Sequence, residues 1–275
     1  ATTLGQSWMS SIDESSNNVY ILNNDLYIAG KLENLAPGER IYSVRFLNDR
    51  GYMVTFRTID PLFVIDLADP KAPTVLGTLK IPGYSDYLHP YDENHIIGFG
   101  KDTITVPYKD SSGNVISSNT YDMGMKIALF DVSDVKNPVQ KYSVKIGDRG
   151  TDSELLYDHK ALLFDKTKNL LAFPVNEAEV DGPAIDPVYG YPNYGRLVFN
   201  GAYVYQLDLL QGFVLKGRVS HLDDKDYIES GYYDVDYNKK IRRILYIDNT
   251  LYGISNNEVS AYDLNTLKEF ASVKK

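Results

Sequence analysis

The chain has 275 residues, of which 43% are hydrophobic, and that fraction is enough for a folded core. Its formal net charge of −9 excludes a nucleic-acid-binding protein, because phosphate binding requires a basic face. The chain contains no cysteine, which excludes disulfides and thiolate metal sites, and no apolar run approaches the ~18 residues of a transmembrane helix.

A short motif recurs along the chain: an alternating apolar run, an Asp or Asn, and then a turn. A weak first copy, Val19–Asn23, is followed by four stronger ones. These are Phe63–Asp66, Ala128–Asp131, Val204–Asp208 and Ser260–Asp263. We interpret the repeated Asp as structural, because Asx side chains satisfy the amides of a turn.

The motif lies between a hairpin and one further strand. The preceding hairpins, which reverse at Asp, Asn or Gly, are Ile41–Phe56, Ala161–Val175 and Arg243–Ser255. The following strands are Val75–Ile81, Gln140–Ile146, Phe213–Val219 and Glu269–Val273. Each repeating unit therefore contains four predicted strands.

The spacing of 43 residues from Asn23 to Asp66 matches the ~40–50 residues of a propeller blade. Later copies are further apart, and the hydrophilic insertions Pro107–Tyr121 and Glu177–Asn200 account for the difference. We therefore predict an all-β single domain over residues 1–275, a β-propeller of four-stranded antiparallel blades with more than ~40% strand. About five blades are visible and the first is incomplete, so we expect a fragment of a longer propeller chain.

The run Glu39–Gly83 resembles the secreted bacterial and archaeal β-propeller domain family that is distantly related to WD-40 repeats. Segments Ser85–Gly100 and Glu154–Phe164 look like further hallmarks of that family. The phrase Asp-Leu-Ala-Asp-Pro at residues 66–70 is similar to repeats of the LVIVD type. This resemblance covers nearly the whole chain. It implies a propeller fold and an extracellular or cell-surface location, and it brings no catalytic signature.

Three acidic residues, Glu39, Asp86 and Glu154, stand at the start of corresponding predicted strands. If these strands are innermost, the carboxylates would ring one mouth of the central channel. Such hard oxygen ligands suit Ca²⁺. The alternative is ordinary polarity at the start of a strand, with hydrogen bonds to neighbouring amides.

A second acidic segment, Asp234–Asn238, begins like a calcium-binding loop. However, Lys239 and Leu245 stand where an EF-hand requires Gly and a bidentate Glu, so a full EF-hand is rejected. With Asp223–Asp226 nearby, we interpret this region as an acidic solvated loop.

The four histidines, His89, His95, His159 and His221, form no metalloprotease motif, and the chain has no G-x-S-x-G elbow. We therefore predict structural histidines and a non-catalytic extracellular or cell-surface binding or scaffold module. The alternative function is a secreted hydrolase or lyase that uses carboxylates or His159 at the channel mouth.

The second insertion contains Tyr189, Tyr191 and Tyr194, separated by Gly and Pro. Tyrosine supplies a large contact area with a polar tip, and long loops with such content are often functional. We predict a contact surface for a protein or glycan partner. The alternative is that the rings fold back over Phe199, Tyr203 and Tyr205 and shield a blade face.

Overall fold

The computed structural model describes residues 1–5, 15–56, 60–187, 190–231 and 233–275. Of these residues, 60% lie in strands and 7% in helices, which confirms the predicted all-β fold. The chain divides into two compact units, the first made of residues 1–122 and 126–141 and the second of residues 123–125 and 142–275. No helix among the described residues is long and apolar enough to span a membrane.

The first two sheets are meanders in which neighbouring strands run antiparallel. The first sheet has three strands in the described part of the chain, β1 (Thr2–Leu4), β2 (Ser16–Leu22) and β3 (Ile28–Leu35). The second has four, β4 (Arg40–Leu47), β5 (Arg50–Phe56), β6 (Asp60–Asp66) and β7 (Thr74–Ile81). The incomplete first blade and the complete second one match the sequence prediction.

Three further sheets repeat the four-stranded pattern, each with its strands in sequence order. The third contains β8 (Tyr84–Asp92), β9 (His95–Lys109), β10 (Val115–Asp131) and β11 (Val139–Ile146). The fourth contains β12 (Leu163–Asp165), β13 (Leu170–Glu179), β14 (Arg196–Asp208) and β15 (Gly212–Val219). The fifth contains β16 (Arg243–Ile247), β17 (Thr250–Ile254), β18 (Glu258–Asp263) and β19 (Glu269–Lys274).

The repeated Asp is the last residue of the third strand in every four-stranded sheet. In each case its Oδ1 accepts the backbone N–H two residues further on. The pairs are Asp66 with Ala68 (3.0 Å), Asp131 with Ser133 (3.0 Å), Asp208 with Leu210 (2.8 Å) and Asp263 with Asn265 (3.1 Å). This geometry confirms the turn-capping role.

Successive side chains of β5 enter two different cores of the first unit. Tyr52 and Val54 pack in one cluster with Leu88 of the third sheet. Met53, on the opposite face, packs in a second cluster with Val19 of the first sheet. Burial on both faces contributes roughly 1.5–3 kcal/mol for each large apolar side chain, so the second sheet is held from both sides.

Glycine in the last strand lets a neighbouring loop approach the backbone. A Cβ on Gly77, in β7, would overlap the carbonyl oxygen of Val135, which follows β10. A Cβ on Gly30, in β3, would overlap the carbonyl oxygen of Pro70, which follows β6. These close contacts are a part of the repeat that the sequence analysis did not identify.

Helical segments are short. The α-helix α1 spans Asp224–Glu229, and the 3-10 helices are Glu154–Leu156, His159–Ala161, Lys166–Lys168 and Tyr237–Lys239. The Asp223 side chain caps α1, and the Asp226 side chain accepts the Asp223 N–H, which completes a capping box. Residues Asp223–Asp226, interpreted from sequence as loop, therefore start a helix.

Candidate functional site

The second insertion is shorter than the sequence suggested. Strands β13 and β14 remain paired beyond the predicted boundary, as far as Glu179 opposite Arg196. The irregular part is therefore residues 180–195, in which an isolated bridge joins Ile185 and Pro192. We call residues 180–195 the tyrosine loop.

Backbone contacts tie the base of the tyrosine loop to the segment that follows β11. The Val180 N–H donates to Asp148 Oδ2 over 3.0 Å. At the other end, the Gly195 N–H donates to the Arg149 carbonyl over 2.7 Å. Asp148 and Arg149 thus hold both ends of the loop, and all four residues belong to the second unit.

The interior of the tyrosine loop has its own hydrogen bonds. The Asp186 N–H donates to the Tyr191 carbonyl (2.9 Å), and the Gly190 N–H donates to the Asp186 carbonyl (2.8 Å). The Asn193 N–H donates to the Ala184 carbonyl over 3.0 Å. Gly190 has a φ of 75°, a torsion that glycine adopts at little cost. The described residues of the loop are therefore held by backbone hydrogen bonds among themselves.

The two described tyrosines of this loop are exposed to solvent. Tyr194 is 71% exposed and Tyr191 is 46% exposed. The Arg149 guanidinium lies 4.0 Å from the centre of the Tyr194 ring, and its Nη1 donates to the Pro192 carbonyl. The third predicted residue, Tyr189, lies outside the described residues. Exposure of this size is typical of a contact surface and not of a core.

Sequence reasoning missed Arg149, because the contact joins two segments that are distant in the chain. No local pattern marks an arginine that will stack on a tyrosine 45 positions later. The one available signal was the cluster of tyrosines itself, since an exposed aromatic ring is a common neighbour of arginine.

An aromatic groove lies in the same unit. Its volume is about 250 Å³, and its lining includes Glu177, Tyr203, Tyr205, Phe213 and Leu215. The rings of Tyr203 and Tyr205 are 6.0 Å apart between centres and nearly parallel, and Tyr203 is only 5% exposed. The aromatic side chains that line the groove are thus packed against one another, whereas Tyr194 of the tyrosine loop is 71% exposed.

Glu177, which lines the groove, forms an ion pair with Arg218. Arg218 Nη1 lies 2.9 Å from Glu177 Oε2, and its guanidinium lies 4.5 Å from the centre of the Phe199 ring. Burial raises the pKa of the Tyr203 hydroxyl, and a hydrogen bond to Glu177 raises it further. A hydroxyl that stays protonated and a paired carboxylate are poor general bases, so the arrangement is structural.

The first two residues predicted to bind calcium have protein neighbours in the first unit. Glu39 directly precedes β4, and its carboxylate accepts the Thr55 hydroxyl over 2.5 Å. Asp86 lies within β8. The pKa of Arg40 is raised mainly by its hydrogen bond to Tyr42, and the negative charge of Asp86 makes a smaller contribution in the same direction. Both positions therefore belong to polar contacts at the start of a strand.

Glu154 differs from the prediction. It begins a 3-10 helix and not a strand, because the side chain of Ser153 caps that helix through the Leu155 N–H. Its Oε1 lies 2.6 Å from Arg242 Nη2 and 3.7 Å from Arg243 Nη1. This carboxylate is held in an ion-pair cluster of the second unit.

Within each unit, the described residues include no group of three or more His, Asp and Glu side chains that could hold a metal ion. The calcium hypothesis therefore gains no geometric support from either unit, and it stays a prediction.

Carboxylates of the second acidic segment are paired with lysines. Asp234 lies 2.6 Å from Lys240 Nζ, and Asp226 lies 2.5 Å from Lys239 Nζ. Asp236 caps the 3-10 helix that follows. The side chain at the sixth loop position, where an EF-hand requires Gly, thus belongs to an ion pair.

Three of the histidines differ in their surroundings, and His159 is exposed. His89 Nδ1 lies 2.9 Å from the Tyr87 hydroxyl, and burial lowers the pKa of its imidazole to about 4. His95 Nδ1 lies 2.8 Å from Asp92. His159 begins a short helix capped by Asp158, whose carboxylate pairs with Arg243.

His221 is half-buried, and both of its ring nitrogens are shielded from solvent. Burial lowers the pKa of its imidazole, while nearby carboxylates and the Gly253 backbone act in the opposite direction. An uncharged ring of this kind is compatible with a packing role. It does not by itself define a catalytic site.

Comparison with known proteins identifies the class. The profile of the beta propeller domain family matches residues 1–267, so this chain belongs to that family. An uncharacterized protein of Methanocaldococcus jannaschii is 38% identical over 245 residues, which cover 84% of this chain and 36% of that protein. Another, from Archaeoglobus fulgidus, is 31% identical over 263 residues, which cover 96% of this chain and 32% of that protein.

The chain thus spans about a third of the length of these relatives. Two solved structures that this chain resembles are similar to it only at a low level. An apocarotenoid oxygenase from Synechocystis is 12% identical with a TM-score of 0.38, covering 87% of this chain and 51% of that one. The Cps50 (Swd1) β-propeller domain from Myceliophteria thermophila is 11% identical with a TM-score of 0.32, covering 95% of this chain and 82% of that one. Likenesses at this level carry no argument about function.

Proposed function

We propose that this propeller is a non-catalytic binding module at the outside of the cell, and that the tyrosine loop contacts its partner, a protein or a glycan. The observation that carries the proposal is the exposure of Tyr191 and Tyr194 on a loop that is ordered by its own hydrogen bonds. A loop that is already held in place loses little conformational entropy on binding. Less of the free energy of its contacts is therefore offset by an ordering cost.

The chemistry of the remaining candidates supports binding more than catalysis. Glu154 is engaged by Arg242, and Glu177 is engaged by Arg218. Enzymes instead gather groups with perturbed pKa values in one accessible pocket. The extracellular location rests on the resemblance to secreted propeller domains, and it is testable by accessibility of the native protein to protease on intact cells.

A binding array tests the proposal. Wild-type protein and the double variant Tyr191→Ser/Tyr194→Ser are applied to immobilised glycans and to purified cell-surface proteins. We expect at least one ligand that the wild type binds and the double variant does not. A matched control removes the exposed rings of Tyr108 and Tyr233, which lie elsewhere in the sequence, and it should retain binding.

A turnover assay addresses the enzymatic alternative. Wild-type protein is incubated with a panel of glycan, ester and peptide substrates. Turnover that is abolished by Glu154→Gln or by His159→Ala would replace the binding proposal with a hydrolase or lyase.

A further inference from the structure

The structure points to a neutral saccharide as the ligand of the tyrosine loop, stacked on the free face of Tyr194, and we infer that Arg149 is the residue that positions this ring. The inference rests on the proposed function and narrows it from any partner to one chemical class. It follows from four features of the loop: the geometry of the ring, the hydrogen bonds of the described backbone, the small apolar area and the excess of carboxylates over cations.

The ring of Tyr194 has one face occupied and is otherwise open. Arg149 lies 4.0 Å from the ring centre, while the side chain as a whole is 71% exposed. The free face is therefore a flat aromatic surface of the size of one sugar ring. The C–H face of a pyranose is apolar and matches such a surface, and the phenolic hydroxyl remains available to a sugar hydroxyl.

Order in the backbone matters because a single stacking contact is weak. The hydrogen bonds of Asp186, Gly190 and Asn193 fix the loop before any ligand arrives. The guanidinium of Arg149 also donates to the Pro192 carbonyl, two residues before the ring. A ring that is already oriented adds little ordering cost to binding.

The apolar area of the loop is too small for a protein anchor. Besides the two tyrosines, the large exposed apolar side chain described in the loop is Ile185. A stable protein interface buries roughly 800 Å² on each partner around a hydrophobic centre. Two separated rings among Gly, Pro, Asn and Asp suit a ligand that is itself mostly polar.

The charges of the loop favour a neutral sugar over an acidic one. Residues 180–195 contain Asp181 and Asp186 and neither lysine nor arginine. Arg196 pairs with Asp181 at 2.6 Å, and Arg149, which keeps its charge, lies on the occupied face of the Tyr194 ring. With Asp148 at the base of the loop, three carboxylates stand against these two guanidinium groups. Carboxylates accept hydrogen bonds from hydroxyl groups and repel a uronic acid or a sulfate.

Arg149 acts on the ligand through Tyr194. Without the guanidinium, the ring loses its support on the occupied face, and the free face is no longer held in one orientation. Lysine preserves the positive charge but lacks the planar group that stacks on a ring. The variant Arg149→Met should therefore weaken saccharide binding, and Arg149→Lys should restore part of it.

The test is calorimetric titration of the protein with cellohexaose, mannohexaose, maltohexaose and hexagalacturonic acid. We expect at least one neutral hexasaccharide to bind. We expect Tyr194→Ser to weaken that binding by about tenfold or more, Tyr194→Phe to stay within about threefold, and Tyr233→Ser to leave it unchanged. In proton NMR spectra, the bound saccharide should show upfield ring-current shifts of its C–H protons that disappear with Tyr194→Ser.

Three results would overturn the inference: no binding of any neutral hexasaccharide, tighter binding of hexagalacturonic acid, or unchanged saccharide binding by Tyr194→Ser. Equal affinities of Arg149→Met and wild type would remove the positioning role. If the tyrosine variants lose a purified protein ligand on the array while no saccharide binds, the saccharide inference fails and the proposed binding function stands.

Discussion

The guanidinium of Arg149 lies 4.0 Å from the centre of the Tyr194 ring. The same side chain donates to the Pro192 carbonyl, and its own backbone carbonyl accepts the Gly195 N–H. One residue outside the tyrosine loop therefore fixes both a ring and the backbone on either side of it. Arg149 thus adds side-chain contacts to the backbone hydrogen bonds of the loop and to its contact with Asp148.

The variant Arg149→Met should loosen the loop and leave the fold intact. We expect faster amide hydrogen exchange in residues 190–195, because the side-chain contacts to Tyr194 and Pro192 are lost. The melting temperature should fall by no more than about 2–4 °C, since an exposed cation–π contact contributes about 0.5–1 kcal/mol. Arg196→Met, which removes the exposed pair with Asp181 and leaves the contacts of Arg149 intact, is the matched control and should change exchange at residues 190–195 less than Arg149→Met.

The variant Gly77→Ala should destabilise the first unit strongly. The added Cβ meets the carbonyl oxygen of Val135, and backbone on both sides must shift. We expect a loss of about 2–3 kcal/mol in the free energy of unfolding, measured by urea denaturation. Thr78→Ala, at the exposed position next in the strand, should cost less than about 1 kcal/mol. Equal effects of the two variants would show that the close approach is absent.

The variant Glu154→Gln should lower the free energy of unfolding, because it weakens an ion pair and not because it removes a calcium ligand. Its carboxylate lies 2.6 Å from Arg242 in a partly exposed ion pair, so we expect a loss of about 1 kcal/mol. Because Glu154 and Glu39 already have protein partners, the melting temperature of the wild type should be equal in chelator and in millimolar calcium. A rise with calcium in the wild type that Glu154→Gln abolishes would support the calcium site predicted from sequence.

His89 should make stability depend on pH in a defined window. Burial, assisted by the charge of Arg45, lowers the pKa of this imidazole to about 4, from an ordinary value near 6.5. Between these values the unfolded chain binds a proton that the native protein does not, so stability falls as the pH drops from 6.5 to 4.

The variant His89→Gln should flatten that dependence. Denaturation at pH 7.0, 5.5 and 4.5 should show a smaller loss of unfolding free energy in the variant than in the wild type. Some dependence should remain, because burial also lowers the pKa of His221. Identical slopes for the two proteins would contradict the assignment of His89 as a buried neutral ring.

Features of the fold that depend on local sequence were predictable. An Asp at the end of an alternating run accepts the amide two residues later, as Asp66 and Asp208 do, and this needs no distant partner. The short 3-10 helix at Glu154 was missed, although its local signal, a capping Ser153, was present. The sequence analysis instead places Glu154 at the start of a strand, because Glu39 and Asp86 precede strands at the equivalent points of the other repeats.

Features that depend on contacts between distant segments were not predictable. Nothing near Gly77 in the sequence reveals that Val135 will approach its backbone. Likewise, the tyrosine loop was visible as a composition, but its support by Arg149 was not. The sequence therefore indicated where the candidate site lies, and only the structure showed which ring face is open.

The most direct test of the binding role compares the thermal stability of Tyr191→Ser/Tyr194→Ser with that of the wild type and of Tyr203→Ser. Tyr194 is 71% and Tyr191 46% exposed, so the double variant loses less buried surface than a core substitution would and should melt within about 4 °C of the wild type. The buried Tyr203 should cost several degrees more. A double variant that loses as much stability as Tyr203→Ser would show that the tyrosine loop covers the core, and it would contradict the assignment of these rings to a partner.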